Sequence, residues 1–316
     1  MTTKDVYKLA VDLGIKADLR GRERVKKYLA RTKEQYEKLL KDKRAEFDLE
    51  KLTNPYSDTR VLVDNNKKQI KKILSGIDIG GSELLLADKL GDVDLVIGHH
   101  PLGVALADLH DVMNLQAQVL ADYGVPINIA ESVIKPRIAE VSRGISPINH
   151  SRVGDIARVL KIDLMCTHTI ADNLGAKFLV DLFKKNAKKL ETVDEVLTLL
   201  KTIPEYQEAV KIKAGPRLFA GHENHSCGRI AVTEFTGGTS GSKDIYEKMA
   251  QAGIGTIIGM HMSEEHRQEA EKYHLNVVIA GHMASDSLGM NLFLDEVEKK
   301  GVKVVPVSGL IRIKRK

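Results

Sequence analysis

From Ile77 onward, short apolar runs alternate with amphipathic stretches of helical length. The apolar runs have the length and β-branched content of buried strands, and they lie at 76–79, 95–98, 127–130, 164–167, 230–233, 256–259, 277–280 and 302–307. Helical periodicity predicts helices over 81–90, 107–122, 132–142, 152–160, 173–186, 193–202, 242–252, 263–273 and 286–300. This alternation predicts an α/β protein, with stacked βα units around largely parallel sheets.

The first 74 residues have a different pattern, which predicts a mainly helical N-terminal extension. Residues 1–75 hold 20 Lys and Arg against 12 Asp and Glu, whereas the whole chain has a net charge of +5. The two signs are interleaved, which is typical of solvated helix faces with i,i+4 pairs. With no tryptophan and 4% aromatic residues, base-stacking surfaces are also sparse. The sequence therefore does not predict a nucleic-acid partner.

Length and composition indicate a globular protein of one or two domains. At 316 residues, the chain could form two compact α/β domains or one domain with a sizeable insertion. No apolar run reaches the roughly 18 residues that a bilayer requires, and the first residues lack a secretory signal pattern. Two cysteines do not make a disulfide framework. We expect a cytoplasmic protein without a membrane partner.

Two histidines follow the predicted strand at 95–98. His99 and His100 lie where that strand ends, and ligands bind at the carboxyl ends of strands in open α/β sheets. Pro101 keeps His100 extended, and adjacent extended residues point in different directions. The two imidazoles could therefore serve two neighbouring metal ions. The alternative is a pair of histidines on a surface loop.

Two further strand ends carry an aspartate. Asp172 lies near the start of the helix that follows strand 164–167, where it could bind a metal or simply cap the helix. His282 and Asp286 follow strand 277–280 at i and i+4, so on a helix they would share one face. The alternative for this pair is a capped helix start with a surface histidine.

The set of residues is more informative than any one of them. Three neutral nitrogen donors and two carboxylates suit Zn²⁺, Mn²⁺ or Fe²⁺ better than Ca²⁺, which prefers oxygen ligands. Five protein ligands are too many for one open catalytic metal and are natural for two. The sequence thus predicts two divalent metal ions per chain, with these ligands: His99, His100, Asp172, His282 and Asp286.

Residues 75–316 resemble the Nif-three-like family, also called GTP cyclohydrolase I type 2 homologues. The matching motifs are His99-His100-Pro101, His168 through Asp172, Gly281-His282, and Ser285-Asp286 followed by Gly289, with Gly76-Ile77-Asp78 opening the first strand. The resemblance implies a two-lobed α/β fold with mixed or parallel sheets flanked by helices. It also implies a dinuclear metal site between the lobes, and a ring-like homo-hexamer built as a trimer of dimers.

The resemblance also implies how the chain divides into domains. We expect the extension at 1–74, a first α/β lobe at 75–190 and a second α/β segment at 191–316, in which about 277–316 returns to the metal site. The chain departs from the family in three ways. Asp286 stands where the family usually has glutamate, the interval between His100 and Asp172 contains a helical insertion, and residues 1–74 are extra.

Charge points to the chemistry of this site. Two divalent ions would outweigh the charge of Asp172 and Asp286, so the pocket should attract anions and acidify water. We expect a metal-dependent hydrolase acting on an anionic nucleotide or other phosphate compound. His168 would contact a metal-binding residue from behind or act as a catalytic residue that transfers a proton. Ring opening as in a GTP cyclohydrolase and phosphoester hydrolysis fit equally well. A non-catalytic metal-binding regulatory or scaffold protein remains an alternative, as does a nucleic-acid adaptor.

The remaining polar motifs are assigned structural roles. The glycine-rich stretch 237–243 could hold a phosphate on backbone N–H groups, but a flexible strand-to-helix turn is the simpler interpretation. The stretch 221–227 lacks the second donor pair of a structural zinc site. We also expect structural roles for four single residues: His261, His266, His274 and Cys166.

Overall fold

The computed structural model describes residues 1–66 and 69–315 of the chain. In that part of the chain the α-helices are α1 (Thr3–Ala17), α2 (Arg22–Lys38), α3 (Lys41–Glu46), α4 (Gly81–Leu90), α5 (Gly103–Ala107), α6 (Leu109–Val112), α7 (Asn114–Asp122), α8 (Ile127–Ile145), α9 (Arg152–Leu160), α10 (Thr169–Asn186), α11 (Val193–Leu200), α12 (Pro204–Lys211), α13 (Ile245–Gln251), α14 (Glu264–Lys272) and α15 (His282–Glu298). The strands are β1 (Thr59–Val63), β2 (Lys72–Gly76), β3 (Leu95–Gly98), β4 (Asp163–Thr167), β5 (Arg217–Ala220), β6 (Arg229–Glu234), β7 (Ile254–Gly259), β8 (Asn276–Ile279) and β9 (Lys303–Val307).

The first sheet has five strands in the order β1-β4-β3-β2-β9. Strand β1 is antiparallel to β4, and the other neighbours are parallel. Gly98 at the end of β3 is level with Gly76 of β2 and Cys166 of β4. Because these strands end together, the residues that follow them meet at one edge of the sheet.

The second sheet has four strands in the order β5-β8-β7-β6, with β5 antiparallel to its neighbour. Gly259 at the end of β7 is level with Ile279 of β8 and Glu234 of β6. This sheet therefore also gathers the residues after its three parallel strands at one edge.

Helices α10 and α15 lie between the two sheets. Ile170 of α10 and Phe293 of α15 pack in the hydrophobic core beside the first sheet. Leu179 of α10 and Leu288 of α15 pack in a separate core beside the second sheet. Both helices thus contribute one face to each core, and their N-terminal ends bring Asp172 and Asp286 to the space between the sheets.

The mixed α/β architecture with two helix-flanked sheets is confirmed, but two predicted strands are wrong. The run at 76–79 overlaps β2 only at Gly76, and its apolar residues Ile77 and Ile79 are buried in the connection to α4. Residues 127–130 open α8 instead, with Pro126 at its N-cap. A four-residue apolar run fits a strand or a buried helix equally well. Here Ala130, Ile134 and Val141 are buried along one helix face, so the helical period continues beyond the run.

The N-terminal segment contains a strand as well as helices. β1 lies within the predicted extension and pairs with β4, so residues 1–74 supply an edge strand of the first sheet. β1, β5 and α12 were not predicted. The domain boundaries at 74 and 190 stay a prediction. Among the described residues, none of the helices combines the length and apolar character needed to cross a bilayer.

Candidate metal centre

His99 lies at the base of the centre, just after β3, with 1% of its side chain exposed. Its Nδ1 is 3.2 Å from the carbonyl oxygen of Thr167. Its Nε2 is 3.4 Å from Oδ1 of Asp172 and 3.5 Å from Oδ1 of Asp286. The imidazole is therefore anchored through one nitrogen and presents the other to two carboxylates.

His100 presents its Nε2 to the other oxygen of the same aspartate. That Nε2 lies 3.4 Å from Oδ2 of Asp286, while Nδ1 is 2.7 Å from Oδ1 of Asp78. The rings of His99 and His100 have centroids 5.3 Å apart and planes tilted by 44°. The extended backbone before Pro101 thus sends two adjacent imidazoles to opposite ends of one carboxylate.

His168 and Asp172 enter from the start of α10. Nε2 of His168 is 3.9 Å from Oδ2 of Asp172, and its Nδ1 is 2.8 Å from Oδ2 of Asp58. The His168 ring lies 5.0 Å from that of His99 between centroids. His168 is thus oriented by a buried carboxylate and faces the same space as His99.

His282 and Asp286 enter from the first turns of α15. They are four residues apart, and Nε2 of His282 is 3.6 Å from Oδ2 of Asp286. Gly281 before them has φ +105°, and a Cβ there would lie 2.4 Å from the carbonyl oxygen of Ala214. Only glycine fits this turn, because the chain must change direction there in close contact with neighbouring backbone.

Unsatisfied carboxylate oxygens show that these residues fit a cation. Oδ1 of Asp172 and both carboxylate oxygens of Asp286 are buried without a hydrogen-bond partner among the described residues. Leaving such oxygens unpaired is costly, so they normally have an ion, water or donor beside them. Two groups could hold a metal ion, since their donor atoms lie within 4.8 Å of one another: His99 with His168 and Asp172, and His99 with His100 and Asp286.

The charges of the centre are strongly coupled. Burial lowers the pKa of His99, but Asp286 and Asp172 outweigh this effect and raise that pKa well above its ordinary value. Burial raises the pKa of Asp286, but His99 and His100 outweigh it and hold that pKa far below its usual range. In the absence of a cation, the positive charge of a protonated His99 would offset the negative charge of the carboxylates. A metal ion bound by His99 would take the place of that proton.

A narrow cleft opens beside the centre, between the two sheets. One wall carries site residues of the first sheet and the central helices, including His168, Asp172, His282 and Asp286. The other wall comes from the second sheet and its loops, including Glu234, Thr239, Ser240 and His261. A small molecule in this cleft would contact the centre on one side and the second sheet on the other.

The structure brings the five predicted ligands together, and metal binding by them stays a prediction. His168 joins them as a potential ligand, in addition to the role expected from the sequence. Sequence reasoning missed Asp58, Asp78 and Glu234, and it assigned His261 a structural role. The ring of His261 lies 4.7 Å from that of His282, at the rim of the cleft. Glu234 is the last residue of β6 and His261 follows the end of β7, so both lie at strand ends, the same signal that located the ligands.

Other sequence candidates lie apart from the centre. His222 and His225 stack with ring centroids 5.3 Å apart on an exposed loop, and they belong to neither potential metal group of the described residues. Nδ1 of His266 lies 2.9 Å from the hydroxyl of Tyr246. Cys166 is fully buried, and burial raises the pKa of its thiol to about 12. That thiol is unsuited to nucleophilic chemistry at neutral pH.

No family model and no curated protein sequence matches the chain. Among solved structures, a NIF3 superfamily protein from Sphaerobacter thermophilus superposes with a TM-score of 0.78 and 25% identity, over 98% of this chain and 99% of that one. Reduced HcgD from Methanocaldococcus jannaschii superposes with a TM-score of 0.50 and 18% identity, over 84% and 94% of the two chains. The chain therefore has a NIF3 superfamily fold, as the sequence resemblance implies.

Proposed function

We propose that the protein is a metal-dependent hydrolase that holds two divalent ions and acts on an anionic, phosphate-containing substrate. The observation that carries this proposal is the position of Asp286. Its Oδ1 faces His99, whereas its Oδ2 faces His100 and His282. A carboxylate whose two oxygens meet separate sets of imidazoles is placed to bridge two cations.

The donors divide into two subsites that share Asp286. His99, His168 and Asp172 would complete the first subsite, which contains Oδ1 of Asp286. His100 and His282 would complete the second, which contains Oδ2. Mixed imidazole and carboxylate donors suit Zn²⁺, Mn²⁺ or Fe²⁺.

Contacts behind the imidazoles support this assignment. The Nδ1 atoms of His99, His100 and His168 face a backbone carbonyl, Asp78 and Asp58 respectively. Such partners fix the tautomer with the proton on Nδ1, which leaves Nε2 as the electron donor. Three histidines therefore offer Nε2 to the centre in the form that a cation requires.

The substrate class follows from charge and space. A pair of divalent cations would activate a water molecule and polarise the bond under attack. Asp172 and Asp286 would neutralise only half of the positive charge of the two cations, so the cleft would favour an anion. Gln116 donates its amide to the carbonyls of Gly237 and Thr239, which fixes the loop on the far wall against such a substrate. Nucleotides and phosphate esters both meet these requirements.

A non-catalytic metal-binding protein is the second candidate. The observation that favours it is the burial of the centre, because Asp172 and Asp286 expose only 5% and 1% of their surface. Structural metal sites are closed in this way, whereas catalytic sites keep an open position. His282, with 38% of its side chain exposed on the cleft, argues for the open site.

Metal content and turnover on the same samples test both candidates. We expect about two Zn²⁺, Mn²⁺ or Fe²⁺ equivalents per chain by plasma mass spectrometry, falling by about one in His282→Ala. His222→Ala, on the exposed loop outside the centre, is the matched control and should retain both ions. Chelator-sensitive hydrolysis of GTP or 4-nitrophenyl phosphate supports the hydrolase. Two ions without turnover support the scaffold, and no metal in supplemented protein contradicts both.

A further inference from the structure

Glu234 is an acidic residue on the wall of the cleft opposite the metal centre. It ends β6 and lines the same cleft as Asp172 and Asp286, which lie on α10 and α15. Its carboxylate accepts a hydrogen bond from the backbone N–H of Gly241. No salt bridge to it exists among residues 1–66 and 69–315. Glu234 is thus a carboxyl group at a substrate cleft without a bound counter-ion.

The surroundings of Glu234 do not supply the missing positive charge. Arg137 of α8 acts on Glu234 from a distance, but its guanidinium pairs with Glu140 at 2.9 Å and donates to the carbonyl of Ser240. The other titratable groups around Glu234 are Tyr246 of α13, His261 after β7 and, across the cleft, His168, Asp172, His282 and Asp286. Burial lowers the pKa of His261, which favours its neutral form.

The protonation of Glu234 follows from this environment. Burial raises the pKa of Glu234 to about 7, and the opposing effects of the Gly241 N–H and Arg137 are smaller. A carboxyl group with this pKa holds its proton for part of the time at neutral pH. Such a group can both donate and recover a proton during a reaction cycle.

We propose that Glu234 is the general acid of the cleft and protonates the leaving group of a phosphate ester. This inference rests on the proposed hydrolase function. The oxygen of water attacks phosphorus, the bond from phosphorus to the ester oxygen breaks, and its electron pair stays on that oxygen. The ester oxygen takes the proton of Glu234, and the carboxylate is reprotonated by the proton that the attacking water releases. Water is the co-reactant, and nothing is oxidised or reduced.

The position of Glu234 also defines the substrate more closely. A protonated Glu234 adds no negative charge to a cleft that already has Asp172 and Asp286 on its other wall. The cleft can therefore accept a phosphate monoester with its negative charge. Protonation by a general acid accelerates the reaction most when the leaving group is an alkoxide, because an alkoxide leaves poorly without a proton. We therefore assign the substrate to phosphate monoesters of ordinary alcohols, such as sugar or nucleoside phosphates.

The alternative role for Glu234 is to close the loop at 235–241 through its hydrogen bond from Gly241. Glu234→Gln distinguishes the two roles, because the amide oxygen can still accept that hydrogen bond while the acidic proton is lost. Glu265→Gln is the matched control, since its side chain is 76% exposed and outside the cleft lining. Metal content of both variants should equal that of the wild type, because neither residue is a ligand.

A leaving-group series provides the first arm of the test. Metal-loaded wild type, Glu234→Gln and Glu265→Gln are assayed on phenyl phosphate and on 2,4-dinitrophenyl phosphate across pH. Glu234→Gln should lose roughly 10²–10⁴-fold in kcat on phenyl phosphate, together with the alkaline limb of its pH profile. Its activity on the dinitrophenyl ester should change far less, because that leaving group needs no proton. An equal loss on both esters overturns the general-acid role.

An infrared pH titration of the metal-free proteins provides the second arm, which does not depend on turnover. The inference predicts a protonated-carboxyl band that titrates near neutrality in the wild type and in Glu265→Gln. The same band should be missing in Glu234→Gln. Its absence from the wild type overturns the inference. Wild type that hydrolyses neither ester overturns the proposed function and the general-acid role together. Turnover with uniform loss in Glu234→Gln overturns the general-acid role alone.

Discussion

Nδ1 of His168 lies 2.8 Å from Oδ2 of Asp58, so a residue of the N-terminal segment orients an imidazole of the candidate metal centre. Asp58 is fully buried just before β1, and the same oxygen accepts a hydrogen bond from the hydroxyl of Thr169. This contact keeps the proton of His168 on Nδ1 and leaves Nε2 free to face Asp172. Residues of the segment at 1–74, which was expected to be extra but belongs to the superposed fold, therefore support the centre.

Removing the charge of Asp58 should weaken metal binding. We expect Asp58→Asn to lower the affinity for Zn²⁺ or Mn²⁺ by about 10–100-fold, because the orientation and basicity of the His168 imidazole depend on that carboxylate. Competition with a chromogenic chelator measures the change. Asp64→Asn is the control, since Asp64 contacts the exposed Lys4 at 3.7 Å and lies away from the cleft lining. Equal affinities in the two variants would contradict the orienting role.

The two ligand aspartates should differ in how many ions they hold. Asp286 faces imidazoles of both subsites, whereas Asp172 faces only those of the first. We expect Asp172→Asn to lose about one equivalent of metal and Asp286→Asn to lose affinity at both subsites. Plasma mass spectrometry after dialysis against a weak chelator measures this, with circular dichroism as the check on folding. Equal losses in the two variants would contradict a bridging Asp286.

The strand-end rule explains why the ligands could be predicted from the sequence. Parallel strands that end together place the residues after them at one sheet edge, so His99 and Asp172 could be grouped without knowing any contact. The same rule groups His282 with Glu234 and His261 at the edge of the second sheet. The meeting of these two groups depends on how the two sheets face each other, which the strand ends alone do not predict.

The residues that could not be predicted depend on long-range pairing. Asp58 reaches the centre because β1 lies antiparallel to β4, and the two strands are about a hundred residues apart in sequence. β5 is an edge strand in which Arg217 and Phe219 are exposed, so it lacks the apolar run of a buried strand. The run at 127–130 shows the converse, because it looks like a strand but opens α8, in which only Ala130 of the run is buried.

Glu234 should make the stability of the protein depend on pH. Its pKa is about 7 in the folded chain against an ordinary value of 4.5, so the folded state holds a proton that the unfolded chain releases between these values. The stability that Glu234 contributes is therefore fully present below its ordinary pKa of 4.5 and is lost as the pH rises through its folded pKa of about 7.

Glu234→Gln should remove this pH dependence. Relative to the variant, we expect metal-free wild type to lose up to about 3 kcal/mol of unfolding free energy between about pH 5 and about pH 8. Urea denaturation at both values measures the difference, and Glu265→Gln should follow the wild type. Parallel pH curves for wild type and Glu234→Gln would mean that Glu234 is already ionised near pH 5 in the folded protein.

The contact between α10 and α15 controls the spacing of the ligands that these helices carry. A Cβ on Gly289 of α15 would lie 2.1 Å from the carbonyl oxygen of Ala171 and 2.7 Å from its carbonyl carbon. Gly289 is one turn beyond Asp286, and Ala171 immediately precedes Asp172. Any substitution that separates the two backbones at this point must therefore also move the two carboxylates apart.

Gly289→Ala should cost stability and metal affinity together. We expect a loss of about 1–3 kcal/mol in unfolding free energy, because the methyl group meets rigid backbone, and weaker metal binding because Asp172 and Asp286 move apart. Gly144→Ala is the matched control, since a Cβ there meets no atom within 4 Å. That variant should be neutral or gain up to about 1 kcal/mol from the helix preference of alanine. Urea unfolding and chelator competition measure both quantities. A Gly289→Ala variant that loses stability but keeps full metal affinity would show that the centre tolerates a shift between its two helices.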